Sequence, residues 1–405
     1  MGTTLRTSNW SRRSCPICER SDLLVAIGKR TIAFRQRTET FEWRQVDGLC
    51  SGCGLIQSLD SPEPGFLNDY YADAHITRTS AADALITPGF DVEARLSPIR
   101  RFHSGGRLLE IGAGDGAFCD ALRKEGIDAV GVDPLNADES DLVVRGYASK
   151  RSLGEESAST VVAYDVMEHA ADPRDWLETA VSLLDPGGIL ILEVPDTHQW
   201  PVEAWHHEHL TQFTRESLQL LCERIGLETV SCGVEPPSRP HGIIYVGRIG
   251  TVGAAQKAAA QPPADEAITA ARELYARAER IRSHQQQAAR HTAALIIRAT
   301  PSDPSQTCEV VVWGANEIAS AIGAALHDAN RNLTVRIVDN ADSKIGVPHP
   351  GFRTAVERPE FQPKPDSLFI FVLCSRVWNE QIAEQITGMG LVSPVIIDGT
   401  NWPAE

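Results

Sequence analysis

At 405 residues the chain exceeds what one ordinary hydrophobic core holds, and about two to three domains are expected. Its composition, 23% charged and 42% hydrophobic, is that of a globular protein; no apolar run reaches membrane-spanning length and the first residues lack the apolar core of a signal peptide, so a cytoplasmic location is expected. The net charge of -16 argues against nonspecific binding to nucleic acid or an anionic membrane, and the expected partner of this chain, taken as a monomer, is a small molecule.

Residues 1–66 read as a metal module. Cys15-Pro-Ile-Cys18 and Cys50-Ser-Gly-Cys53 are two C-x2-C knuckles. Gly52 and Gly54 let backbone amides turn toward sulfur. Four thiolates in this pattern can surround Zn2+ tetrahedrally, leaving no open position, so the ion would be structural. The stretch between the knuckles accommodates a hairpin of residues 31–35 with 41–46. Core thiols or two disulfides are the alternatives, but an odd total of nine cysteines with paired knuckles favours metal.

Residues 67–250 read as a cofactor domain of the α/β class. Tyr70 and Tyr71 precede a helical stretch, and Tyr71 is a candidate to close over a cofactor. An apolar strand, Leu108, Leu109 and Ile111, runs into Gly112, Gly114 and Gly116 and then into a helix over 118–124. Such glycines let the backbone bend sharply and a ligand lie against it at the strand's carboxyl end. The spacing departs from G-x-G-x-x-G, which seats a pyrophosphate, and Asp115 lies inside the turn with Glu110 just before it. Two acids suit a zwitterionic or cationic ligand better than a phosphate. A second strand, 129–132, ends in Asp133, placed to take ribose hydroxyls. These positions resemble the S-adenosylmethionine site of class I methyltransferases. A short strand over 142–144 and a strand over 159–163 follow, the latter ending near Asp165 and His169, which should face the same crevice. A helix over 173–184, the turn Asp185-Pro186-Gly187-Gly188 and a buried strand over 189–194 complete the α/β alternation, against which a nicotinamide enzyme is the lesser alternative.

Trp205-His206-His207-Glu208-His209-Leu210 comes next, before a helix capped by Thr214 with Ser217 in its first turn. Three histidines and a glutamate in four residues cannot all fill a core. A metal site would lack the i, i+4 spacing of H-E-x-x-H; acid/base chemistry needs only an imidazole of near-neutral pKa and an orienting carboxylate; a solvated loop is the bland alternative.

Residues 251–305 read as a helical linker, with a hinge at Pro262-Pro263 and a continuous helix over 265–298. Residues 306–405 read as a second nucleotide-type domain: a strand over 310–313, Gly314-Ala315-Asn316, a helix over 317–328, a strand over 335–338 ending in Asp339, and a strand over 369–374.

Together the knuckles, the glycine turn, Glu208-His209-Leu210 and this carboxyl domain resemble the sugar C-methyltransferase family, along essentially the whole chain. The resemblance implies S-adenosylmethionine as cofactor and a 4-keto-deoxy sugar, carried on a nucleoside diphosphate (thymidine being the expected nucleoside), as substrate. It implies catalytic roles for His169, Glu208 and His209, with His206 where the family has tyrosine. It also implies substrate contacts at His241, which precedes Gly242 in an incomplete His-Gly-Gly, and at Lys344; Arg376 is a candidate for phosphate. Transfer to C3 would run through an enolate, in natural-product deoxysugar biosynthesis. O- or N-methylation of another scaffold is the competing activity, and a zinc-bearing scaffold with an inactive fold is the competing class.

Overall fold

The computed structural model describes residues 5–6, 9–35, 40–63, 65–67, 92–134, 141–150, 157–199, 208–237, 242–250, 264–301, 307–315, 317–328, 334–340, 345–346, 352, 354–360, 367–374, 378–389, 391 and 394–399. They fall into two compact units, Met1–Ala33 with Phe41–Ala278, and Phe34–Thr40 with Glu279–Glu405.

The chain begins with short strands β1 (Leu5–Arg6) and β2 (Trp10–Arg12), followed by a long paired β3 (Leu24–Arg35) and β4 (Thr40–Cys50). The second knuckle turns β4 back into β5 (Ile56–Ser58), antiparallel with Leu49 opposite Ile56, and β6 (Asp60–Pro62) then pairs with β2. A chain of side chains runs along β4: the Trp43 indole donates to Gln45 at 3.0 Å and the Gln45 amide to Asp47 at 2.6 Å. All three are buried. The Tyr275 hydroxyl donates to the Asp47 carboxylate, so the buried charge is hydrogen-bonded as it must be.

The central layer is a seven-stranded sheet ordered β13-β14-β11-β10-β7-β8-β9. Strands β7 (Arg107–Ile111), β8 (Asp128–Asp133), β9 (Val143–Arg145), β10 (Ala158–Tyr164) and β11 (Leu184–Pro195) are parallel. The last two, β13 (Leu227–Cys232) and β14 (Gly242–Ile249), are antiparallel to their neighbours. Helices α1 (Val92–Phe102), α2 (Ala117–Lys124), α3 (Pro173–Ser182) and α4 (Arg215–Arg224) cover it. Alternation along the strands sorts the core. Leu108, Val162 and Ile191 pack with Leu96, Ile99, Phe118 and Leu122 of α1 and α2, whereas Leu109, Val161, Leu190 and Leu192 pack with Leu177, Leu218 and Leu221 of α3 and α4. Cys15, Ile17, Cys50 and Leu55 join that second cluster, so the cysteine module shares a core with the central sheet.

Two features differ from the expected elements. The turn at 185–188 lies inside β11 as a bulge: pairing runs from Ala158 opposite Leu184 to Thr160 opposite Ile189, and Gly187 has φ 77°. The stretch 211–212 forms strand β12 (Thr211–Gln212), which pairs with β5 and not with the central sheet.

The second unit is a four-stranded parallel sheet ordered β16-β15-β17-β18, from β15 (Thr307–Trp313), β16 (Val335–Val338), β17 (Ser367–Leu373) and β18 (Val395–Asp398). Helices α6 (Glu317–Asp328) and α7 (Asn379–Gly388) pack on it. The preceding helix α5 (Ala264–Ala299) supplies Ala271 and Leu274 to the first unit's core and Ala289, Ala293 and Ile296 to the second's. Among the described residues no helix is long and apolar enough to cross a membrane.

Candidate functional site

The glycine turn stands at the carboxyl end of β7, in the middle of the sheet. Gly112, Gly114 and Gly116 have φ of 78°, 55° and 86°, a region that side chains rarely enter. A Cβ on Gly112 would lie 2.4 Å from Val166, so that glycine lets the β10 loop close against the turn. A Cβ on Gly114 would meet nothing within 4 Å. It faces open space, which is what a cradle for a ligand requires. Asp133, at the end of β8, accepts from the Gly114 amide at 3.0 Å and fixes the turn.

Glu110 is buried and accepts the Cys119 thiol at 3.1 Å. Burial pushes its carboxyl up to about 7. Asp165 follows β10 with φ 58°, an uncommon conformation for a non-glycine residue, and meets Arg95 at 3.4 Å. The Arg95 guanidinium also lies over the Tyr164 ring, 4.6 Å from its centroid, and the Tyr164 hydroxyl donates to the Arg95 carbonyl. Helix α1 is thus pinned to the strand end that carries Asp165.

Beyond Val166, one turn of 3-10 helix (Met167–His169) delivers Glu168 and His169. His209, from the segment before β12, packs its ring edge-on against His169, with centroids 4.8 Å apart. The buried Glu168 carboxylate lies 3.8 Å from His169 Nε2 and 4.0 Å from His209 Nε2, while Glu208 lies 3.8 Å from His169 Nδ1. Two imidazoles and two carboxylates therefore converge, an arrangement that can hold a proton on either ring and stabilise the resulting cation.

Two groups of metal-ligating side chains occur among the described residues: Glu168, His169 and His209, and the four knuckle cysteines. Within each group the ligand atoms lie within 4.8 Å of one another. Cys15 and Cys53 sulfurs are 3.5 Å apart, and none of the four is in a disulfide. Thiol hydrogen bonds shared within the cluster push Cys15 and Cys53 up and Cys18 and Cys50 down. A tetrahedral divalent cation fits this donor set, since it would hold all four as thiolates.

Tyr71, His206, His241, Lys344 and Arg376 lie outside the described residues. Glu168, Arg95 and Cys119 were not legible as site residues. Adjacency to His169 could have suggested Glu168, but nothing in the pattern of α1 marks Arg95.

Residues 89–232 match the family model described as a methyltransferase domain. A ubiquinone biosynthesis O-methyltransferase of Azorhizobium caulinodans is 35% identical over 100 residues, covering 22% of this chain and 40% of that one. Its counterpart from Cereibacter sphaeroides is 32% identical over 99 residues, with 22% and 40% covered. The chain spans about 40% of the length of these curated relatives. Among solved structures, the Burkholderia thailandensis 1,6-didemethyltoxoflavin-N1-methyltransferase with bound 1,6-didemethyltoxoflavin and S-adenosylhomocysteine gives a TM-score of 0.36 at 15% identity, over 49% of this chain and 96% of that one. With its glycine turn at the end of the first strand of a mixed α/β sheet, the stretch from 89 to 232 is a class I S-adenosylmethionine-dependent methyltransferase domain.

Proposed function

We propose that this chain methylates C3 of a nucleotide-linked 4-keto-deoxy sugar, using His209 and His169 to take the proton from the carbon beside the ketone. The observation that carries this reading is the edge-on histidine pair around buried Glu168, two residues along the chain from Val166, against which Gly112 closes. S-adenosylmethionine, when bound, supplies an electrophilic methyl group. Gly112 to Gly116 would cradle it, Asp133 would meet its ribose hydroxyls, and Asp165 and Tyr71 would lie beside it. A ketone makes the neighbouring C–H acidic; His209 removes that proton, Glu168 stabilises its imidazolium while Glu208 faces His169, and the enolate carbon would take the methyl from the sulfonium as the neutral thioether departs. Holding both reactants in one crevice supplies much of the rate. The cysteine cluster would carry a structural zinc. Lys344 and Arg376 would contact the nucleotide, and His206 and His241 the sugar. The enzyme would act as a monomer without nucleic-acid or membrane partners.

O-methylation is the second reading, favoured by the 35% identity to a ubiquinone biosynthesis O-methyltransferase; the same imidazoles would then take a hydroxyl proton. Deuterium wash-in separates the two. With the keto sugar and no cofactor, exchange is expected at the carbon next to the carbonyl and is expected to vanish in His209→Ala. Exchange that persists in that variant excludes His209 as the base. Absence of exchange in the native enzyme, with methyl found on oxygen after turnover, favours the second reading.

A further inference from the structure

His209 does not belong to an element of the central sheet. The two residues after Leu210 form β12, which extends the sheet of the cysteine module: Thr211 pairs with Gln57 and Gln212 with Ile56. The Gln212 side chain donates to the His209 carbonyl at 3.0 Å, so the strand's geometry reaches the histidine's own peptide. The Ser58 amide donates to the Leu210 carbonyl at 2.8 Å.

Arg13 meets that same carbonyl. Its guanidinium is buried and donates through Nη1 to Leu210 O at 2.6 Å and to Ser58 O at 3.3 Å, and through Nη2 to Thr211 Oγ1 at 3.0 Å. The planar fork therefore spans β5 and β12 at the carbonyl of Leu210, the residue after His209. Its backbone amide is fixed in turn, donating to Leu59 O at 2.9 Å, and Cys15 is only two residues on. A buried guanidinium demands these acceptors, because an unsatisfied charge in the interior is strongly destabilising. The same knuckle also holds the helix that follows the other histidine: Arg174, in the first turn of α3 behind the Asp172 cap, donates to Pro16 O at 2.7 Å and pairs with Glu19 at 3.0 Å. The first knuckle thus grips the chain just after His169 and, through Arg13, just after His209.

We infer that Arg13 is a positioning residue for the base: it fastens the His209 strand to the cysteine module and holds the His209 ring against His169 and Glu168. This rests on the proposed role of His209. The cofactor turn, on β7 and α2, takes no part in the link, so cofactor affinity and base geometry should separate.

The test uses the full metal-bound chain with Arg13→Gln, Arg13→Lys and Thr211→Val. Three quantities are measured: S-adenosylhomocysteine affinity by calorimetry, the His209 ring resonance in 13C-histidine-labelled protein without substrate, and kcat and KM on the substrate that the native enzyme turns over. Arg13→Gln is expected to keep S-adenosylhomocysteine affinity within about threefold, to shift the His209 resonance and to lower kcat about 100-fold with KM little changed, as a small misplacement of a catalytic group does. Arg13→Lys, which keeps the charge and one donor, should recover about a tenth or more of native kcat. A folded Arg13→Gln protein with native His209 resonance and native kcat overturns the inference. Should that variant not fold, Thr211→Val, which removes a single acceptor, must still shift the resonance; an unmoved ring overturns it equally. The resonance is read without turnover. If the native chain methylates no carbon acid, the proposed activity fails while the link between Arg13 and the ring is still decided.

Discussion

Glu110 illustrates how a single residue can make stability a function of pH. Its carboxyl is buried beside the Cys119 thiol and titrates near about 7 in the folded protein against 4.5 when unfolded, with burial as the main cause. Between those two values the folded state keeps a proton that the unfolded chain has released. Stability is therefore highest below 4.5, falls as pH rises to about 7, and stays lowered above it, the whole displacement being worth about 3 kcal/mol. Glu110→Gln cannot ionise. Urea unfolding of the ligand-free protein at about pH 5 and about pH 8 should show the native chain losing stability across that range, with most of this loss absent from the variant. Equal losses in both proteins would mean that Glu110 is ionised throughout, as an acid held by an unrecognised cation would be. Sequence alone marked Glu110 as an acid near the turn but carried no sign of its depth, because burial of a strand residue depends on which helix covers it.

Among the elements, the turn after β7 separates two demands that its glycines meet differently. Gly112 has positive φ and no room, for a Cβ there would sit 2.4 Å from Val166; Gly114 has positive φ and open space. Gly112→Ala should therefore cost about 1–3 kcal/mol of stability as well as cofactor affinity. Gly114→Ala should cost about 1 kcal/mol, the price of a left-handed backbone alone, yet abolish S-adenosylmethionine binding because the new methyl stands where the ligand would lie. Thermal unfolding with parallel calorimetry checks both; a Gly114→Ala protein that binds normally would mean that the ligand lies elsewhere. Elements with strong local signals were legible. The Thr214 cap forms with Ser217 as the reciprocal partner, and α6 and β16 occupy the spans that their periodicity predicts. The carboxylate closing a strand's end recurs as well: Asp133 accepts from the Gly114 amide and Asp339 from the Ala315 amide at 2.8 Å, one in each unit. What sequence missed was β12, two residues long, whose existence depends on β5 lying beside it; no local pattern encodes a partner more than a hundred residues away.

At the scale of the whole molecule, the cysteine module shares a core with the methyltransferase sheet and contributes a sheet to the histidine segment. Its four thiols crowd within 4.8 Å, where ionising all of them without a cation is opposed by mutual repulsion and by burial. A metal bound there would therefore be folding energy for more than the knuckles. Purified protein should contain about one zinc per chain, and a content below about a tenth of that would remove the structural-zinc reading. Removing the metal with a chelator should loosen amides in two places far apart in the chain, the knuckle strands β4 and β5 and the segment around β12, because the latter's ladder partner is β5. Hydrogen exchange followed by mass spectrometry would resolve them. Faster exchange confined to β4 and β5, with 209–212 unchanged, would mean that the histidine segment is held by the central fold and that the module's metal is remote from the chemistry. Faster exchange in both, with β7 and β8 still protected, would mean that one ion on four sulfurs sets the order of a histidine about two hundred residues beyond its first ligand, while the cofactor turn depends on the parallel sheet alone.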